Sequence, residues 1–303
     1  MLAIVIPYYK LIFFEETLKS LSEQTDKRFR VYIGNDASPE DPSLLLEEYK
    51  DKIDFVYQIF EENLGGISLA KHWERCIALV KEEDWIMILG DDDILEKNVV
   101  ASWYEHYNVF HTKSNLVRFA SKSLNMNLNG KISHSFTNPV WEKASDSYFR
   151  RFKGLTRSSL SEYTFSKRAF QEYGFFDFPL AWHSDDAAWL FFSDDKPIYS
   201  INESNLLIRY SSSSISGKQN NQKLKDLASE NFYKQCIVEK MDFFSKPQQL
   251  DLILEYEISI KKNRKLRWTE WRYLLLFYLS AMQMNAFIKC LRRCCLSFRQ
   301  KKI

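Results

Sequence analysis

A run of five apolar residues, Trp85-Ile-Met-Ile-Leu89, has no polar break and stops at Gly90, where three carboxylates follow at once: Asp91, Asp92 and Asp93. An unbroken apolar run of this length reads as a strand buried on both faces, inside a sheet covered by helices. Three adjacent acids at the end of such a strand repel one another and gain nothing from packing. A hard divalent cation, Mg²⁺ or Mn²⁺, accommodates them, because it takes oxygen ligands from one or two carboxylates and from substrate phosphates. Open α/β sheets bind ligands at the carboxyl ends of their strands, where these acids stand. The plainer alternative is a polar turn that caps the next helix.

The surrounding pattern favours a ligand site. Leu2–Ile6 reads as a strand that ends at Pro7-Tyr8-Tyr9, since proline cannot donate to a ladder. Arg30–Ile33 is a second strand, running into Gly34-Asn35-Asp36-Ala37-Ser38-Pro39, and Asp54–Ile59 is a third. Helices are expected over Glu15–Gln24, Ser43–Tyr49 and Ser68–Val80, the last after the break at Asn63-Leu64-Gly65-Gly66. This alternation predicts right-handed βαβ units in a mostly parallel, Rossmann-like sheet. Three strand ends then gather along one edge as a cleft. Asp36 can accept from an imide N–H, as uracil or thymine offers, or close an Asx turn over its own loop; both readings stay open. Gly65-Gly66 before a helix permits close backbone approach to a phosphate. Neither Gly-x-Gly-x-x-Gly nor Gly-Lys-Ser/Thr occurs, so dinucleotide and P-loop readings lack a motif.

Farther on, Val99–Phe110 reads as an aromatic-rich helix, Leu116–Ala120 as a strand, and Asn125–Arg157 as a long irregular loop. Its Trp141, Tyr148 and Phe149 suit either a sugar face or local packing. A second acidic cluster lies in Trp182-His183-Ser184-Asp185-Asp186-Ala187-Ala188-Trp189. Asp185 and Asp186 open a short helix, where acids are electrostatically favoured, and an Asp there can also take a proton from an attacking hydroxyl. His183 is read as a satisfied side chain. Ile198–Ile201 and Leu206–Arg209 read as two final strands. The serine stretch Ser211–Gly217 is expected to fold over a bound phosphate, with Arg209 a candidate for the same group.

Charge is distributed unevenly. The net charge of +2 over 303 residues hides a C-terminal stretch, 261–303, with twelve Lys and Arg against the single Glu270. From Gln222 onward the pattern is helical. The apolar segment Tyr273–Ile288 falls short of the roughly 20 residues that span a bilayer. Flanked by Lys and Arg, it is expected to be an interfacial amphipathic helix on a membrane surface. Packing on the main domain, or on a second subunit as a homodimer, is the alternative. Nucleic-acid binding is not supported, because the basic residues accompany an apolar face and no recognition motif is present. Five cysteines without metal-ligand spacing suggest reduced thiols. The N-terminus reads as a first strand and not as a signal peptide. The expected location is cytoplasmic, peripheral on the inner face of the membrane.

Taken together, the pieces resemble the family 2 glycosyltransferases of the GT-A fold. The matching positions are Pro7-Tyr8, Asn35-Asp36-Ala37-Ser38, Asn63-Leu-Gly-Gly66 with Ala70, Leu89–Leu95, Gly174-Phe-Phe-Asp177 and Ser184-Asp-Asp186. The resemblance covers about Met1 to Gly217. It implies a catalytic nucleotide-sugar domain over 1–217, followed by a helical, basic, amphipathic region over 218–303.

The resemblance implies an inverting, metal-dependent transfer of a sugar from a nucleoside diphosphate donor. Pro7, Tyr9 and Asp36 would hold base and ribose, with Asn63 and Gly65 beside them in the donor-binding set. Asp91 and Asp92 would bind ribose or position the metal, and Asp93 would ligate it. Asp186 would be the general base, with Asp185 its neighbour in the pair. Three departures stand out: Gly90 replaces a common Asp, Asp185 replaces a common Glu, and a His ligand in the final loop is missing. The expected donor is a UDP-sugar, with dTDP satisfying the same imide contact. The expected acceptor is a hydroxyl of a saccharide or lipid-linked molecule in surface polysaccharide synthesis. The alternatives are a catalytically inactive sugar-nucleotide-binding scaffold and a nucleotidyltransferase. The latter lacks support, since Pro7-Tyr-Tyr-Lys10-Leu-Ile has no Gly-rich activation loop.

Overall fold

The computed structural model describes residues 1–211 and 220–299, so the serine stretch beyond Ser211 lies outside the described residues. The chain divides into two compact units, 1–220 and 221–303.

The first unit is built on one sheet. Its parallel part contains β1 (Leu2–Tyr8), β2 (Phe29–Asn35), β3 (Phe55–Ile59) and β4 (Trp85–Ile88) in the spatial order β3-β2-β1-β4. Crossovers through α1 (Phe14–Ser22), α2 (Ser43–Tyr49) and α3 (Leu69–Ile77) return each strand in the same direction, as the alternation predicts. Strands β1 and β4 are buried along almost their whole length, which explains their unbroken apolar sequence. The register sets Tyr8 beside Asn35 and Val5 beside Ile88, so Asp36 and Asp91 leave the sheet on either side of the end of β1.

The sheet then becomes mixed. After the short β5 (Ile94–Leu95) and α4 (Val99–Phe110) comes β6 (Leu116–Asn125), followed by β7 (Lys131–Ile132), β8 (Trp141–Glu142) and α5 (Ala144–Phe152). Strand β9 (Tyr163–Ser166) inserts antiparallel between β4 and β6. Helices α6 (Lys167–Tyr173) and α7 (Ser184–Phe192) precede β10 (Ile198–Tyr210), which runs parallel to β6.

Two expectations change here. The two final strands are one strand with an irregularity between Ile201 and Asn205. Its polar middle is satisfied: the Ser204 hydroxyl donates to Ser102 and the Asn205 amide to Glu96. The supposed loop 125–157 holds α5, which buries Ala144 and Tyr148 one turn apart while Arg150 on its polar side bonds to Glu142.

Under the sheet, α4 packs Trp103 and Phe110 against Trp85, with ring centroids 5.2–5.9 Å apart. The buried Trp103 indole satisfies its N–H on Thr164 at 3.0 Å.

The second unit consists of α8 (Gln222–Phe232), α9 (Lys246–Asn263), α10 (Trp268–Ser280) and α11 (Met284–Arg299). Ser245 and Gln248 form a capping box at the start of α9, with Pro247 in its first turn. The segment Tyr273–Ile288, expected as one amphipathic helix, is instead the end of α10, a turn in which Met282 has φ 54°, and the start of α11. Polar Gln283 and Asn285 coincide with that break.

Candidate active site

At the end of β4 the three carboxylates take different positions. Asp91 Oδ2 accepts from the amides of Tyr9 and Lys10, both at 2.8 Å, and so pins the chain leaving β1. Burial, opposed by those amides, raises its carboxyl above the ordinary range. Asp93 is buried with both oxygens engaged: Oδ2 accepts from the Ser161 hydroxyl at 2.6 Å and Oδ1 from the Arg209 amide at 2.9 Å. Its partners are neutral, so burial and the neighbouring Asp92 charge push it up to about 7. Asp92 is half-exposed, and among the described residues its carboxylate bonds to no other residue. Burial and Asp91 push it up to about 6.

Asp36 anchors the break between β3 and α3. Its carboxylate accepts from the amides of Leu64 (2.9 Å) and Gly65 (2.9 Å) and pairs with Arg75. Buried His72 is 3.4 Å away. Burial and then the Arg75 charge lower that imidazole to about 3, so it is neutral and Arg75 supplies the counter-charge. A Cβ on Gly65 would lie 2.5 Å from Asp36 Oδ2, so a side chain at that position would push on this carboxylate. Asn63 closes the same loop by accepting from Gly66 at 2.6 Å. Pro7 is half-buried, and the exposed Tyr9 accepts at its carbonyl from Ser38 at 2.6 Å.

The second acidic cluster opens α7. Asp186 is 2% exposed, with Oδ1 3.0 Å from Arg151 and Oδ2 2.7 Å from His183 Nδ1. Burial alone would raise its carboxyl; Arg151 and then His183 outweigh burial and hold it below the ordinary range. Asp185 is half-exposed, and its Oδ1 accepts from the Asp186 amide at 2.9 Å. Burial and the Asp186 charge push it up to about 7. Before this pair the backbone is strained. Leu180, Ala181 and His183 have φ of 61°, 50° and 68° with no glycine among them.

One segment links the two clusters. Ser161 donates to Asp93 and accepts from the Gly90 amide at 3.1 Å. Two residues on, the Tyr163 ring stacks on Trp189, one turn beyond Asp186, with centroids 4.2 Å apart. Tyr148, Arg151, Arg157, Tyr163, Asp186 and Trp189 share the lining of a narrow cleft. On the other side, Asp177 accepts from Ser68, the N-cap of α3, at 2.6 Å, and the Ser184 hydroxyl donates to the Phe176 carbonyl at 2.6 Å. The Asp36 loop, the acid turn and the start of α7 thus form one connected set.

The sequence model of glycosyl transferase family 2 matches residues 3–174, more than half of the chain. The chain belongs to this family. No curated protein matches it in sequence. Among solved structures, this glycosyltransferase is similar to S. aureus TarS 1-349 in complex with UDP-GlcNAc, with TM-score 0.58 and 13% identity over 99% of this chain and 92% of that one. It is also similar to the same protein bound to UDP, with TM-score 0.57 and 14% identity over the same shares. At such low identity the likeness establishes the fold, which is of the GT-A type.

The glycosyltransferase reading sharpens what each acid can do. Asp93, which the resemblance assigns to the metal, has both oxygens taken by protein donors. Asp92 is open, and Asp91 keeps Oδ1 clear of the two amides that hold Oδ2. Two carboxylates with free oxygens among the described residues, in a trio whose pKa values are raised by burial and then by one another's charge, fit a hard cation completed by phosphate oxygens and water. No cluster of three or more metal-ligating side chains occurs among the described residues.

Arg209, expected at the phosphate, has its guanidinium engaged within the protein. Its guanidinium pairs with Glu16 at 2.8 Å, donates to the Asp92 carbonyl at 2.9 Å and covers the Phe13 ring. It braces the acid turn. Arg151, Ser161 and Tyr163 escaped the sequence reading. Ser161 and Tyr163 carry no motif, and Arg151 lay in a segment taken for loop.

Proposed function

We propose that this glycosyltransferase moves a sugar, with inversion, from a UDP-sugar to a hydroxyl of a saccharide or lipid-linked acceptor in surface polysaccharide synthesis. The observation that carries the reading is the pairing of an open carboxylate with an anchored one in each acidic cluster: Asp92 with Asp93, and Asp185 with Asp186. The UDP-GlcNAc and UDP complexes of TarS support a uridine donor on this fold.

The acceptor oxygen attacks the anomeric carbon as the bond from that carbon to the diphosphate oxygen breaks, and UDP leaves with the bonding pair. Attack on the face opposite the departing diphosphate inverts the anomeric centre, and the acceptor proton passes to a carboxylate on the attacking side. Asp185 is suited to this role, because it is half-exposed and its carboxyl is raised to about 7, near the working pH. Asp186, the first candidate by resemblance, is held ionised by Arg151 and His183 and positions its neighbour. A bound Mg²⁺ or Mn²⁺ would supply charge neutralisation on the departing diphosphate. Asp92 and the free oxygen of Asp91 would hold it, in place of Asp93. Asp36, buried with both oxygens engaged by Leu64, Gly65 and Arg75, orders the Asn63–Gly66 loop, and that loop would line the base and ribose.

The test is thermal stability against UDP, dTDP, GDP and CMP, each with and without Mn²⁺. A rise in Tm with UDP that requires the metal supports the reading. A rise with dTDP instead moves the donor to deoxythymidine. No response to any nucleotide overturns the donor assignment and favours the inactive scaffold.

A further inference from the structure

The C-terminal stretch 261–303 is strongly basic, whereas the rest of the chain holds more acids than bases, and catalysis assigns that stretch no role. Within the second unit, α10 and α11 pack on each other, and the Trp268 and Phe298 rings meet with centroids 6.1 Å apart. On α11, Met284, Ile288, Leu291, Cys295 and Phe298 recur at intervals of four and three, which stacks them on one face, and all are exposed. Cys290 and Cys294, on a different face of the same helix, are buried. Helix α10 adds exposed Trp268 (62%) and Leu279 (50%), and the turn between the helices presents Met282 (84%). Exposed apolar patches of this kind mark interaction sites.

The rim of this face is positive. Arg272, Lys289 and Arg292 are exposed, and the region's single acid, Glu270, is buried and bonded to Arg264. Next to the Phe298 end lies a cleft of about 460 Å³ lined by Lys261, Lys262, Arg264, Lys265, Arg293 and Leu296.

We infer that α10 and α11 dock in the plane of an anionic membrane surface, burying the apolar face while the basic rim meets lipid headgroup phosphates; four of the five cations lining the cleft, Lys261, Lys262, Arg264 and Arg293, are already paired with Glu230, Glu255, Glu257 and Glu270. Among the described residues no helix is long and apolar enough to cross a membrane, so contact of this kind is interfacial. A second copy of the chain is a poorer occupant. Pairing this face with itself would oppose two basic rims with no exposed acid in the region to meet them. An anionic bilayer offers both the apolar layer and the opposite charge.

The experiment is co-sedimentation of the full chain with vesicles of phosphatidylcholine alone or with 30% phosphatidylglycerol added. The wild type should pellet with the anionic vesicles and be released by high salt. Ile288→Glu with Leu291→Glu should weaken binding at least tenfold. Lys289→Gln with Arg292→Gln should weaken it about 25-fold, from two basic contacts. All four side chains are exposed, so both variants should keep the wild-type melting curve and the wild-type transfer rate to a soluble acceptor. That second readout separates this inference from the catalytic assignment. Equal pelleting of wild type and variants overturns the proposal. So does absence of pelleting, or a dimer in light scattering that Ile288→Glu dissolves.

Discussion

The two acidic clusters solve the same problem with different partners. Each buries one carboxylate and leaves its neighbour open. At the end of β4, the buried Asp93 is held by a hydroxyl and a backbone amide, which carry no charge, and its carboxyl rises to about 7. At the start of α7, the buried Asp186 is held by Arg151 and His183, and its carboxyl falls. Neutral donors satisfy a buried carboxylate's hydrogen bonds without balancing its charge, whereas a guanidinium does both. The first cluster is therefore short of positive charge. The second is already balanced and can keep one acid anionic beside another that titrates near neutrality.

The strongest way to break this comparison is at α7. Asp185→Asn should lower kcat by about 10²–10⁴-fold while UDP still stabilises the protein. Asp186→Asn should act first on the fold, because it leaves Arg151 without its carboxylate, at a cost of roughly 3 kcal/mol. Chemical denaturation and single-turnover kinetics on both variants decide the matter, and a fully active Asp185→Asn would make the buried acid the base.

The donor end gives the next largest effect. Asp92→Asn should abolish the metal-dependent part of the UDP-induced rise in Tm. Asp93→Asn should retain part of that rise and cost about 1–3 kcal/mol of stability through the altered bond to Ser161. Equal loss of the metal effect in both variants would return the metal to Asp93.

A smaller effect lies in pH. Asp93 and Asp185 have folded pKa values raised to about 7, above the ordinary carboxylate range. Their favourable contribution is complete below about pH 4 and is lost as pH climbs through about 7. Tm without metal should rise by a few degrees between pH 8 and pH 6, while turnover falls over the same interval as the base takes up its proton. Mn²⁺ with UDP should flatten the donor-end share of the Tm trend. The mildest change is Gly65→Ala, expected to raise the donor KM about tenfold, or by about 1.4 kcal/mol, by pressing a methyl group on Asp36.

Much of this architecture could be read from local pattern. Strands β1 to β4, their order of appearance and the edge where Asp36 and Asp91 emerge follow from the apolar runs, although β1 continues through Pro7 to Tyr8, with Pro7 beside Gly34, where the proline was expected to end it. The acids themselves were equally visible. Which of them is open was not, because their partners lie far away in sequence: Asp93 meets Ser161, and Arg209 meets Glu16, 193 residues distant. Helix α5 was missed because Ser, Asp and aromatic residues are weak helix formers, and its stability comes from packing Tyr148 and bonding Arg150 to Glu142. The C-terminal hairpin was mistaken for one helix because the apolar stripe continues across the turn at Met282.

The left-handed run before α7 has a bearing on how this enzyme would respond to selection. Leu180, Ala181 and His183 hold a backbone that glycine adopts at no steric cost, and each non-glycine residue there costs about 1–2 kcal/mol. A library screened for heat resistance alone should recover Ala181→Gly early. One screened for turnover should reject it, since the added freedom would loosen the entry to the acid pair. Heat resistance and turnover would then pull this one position in opposite directions.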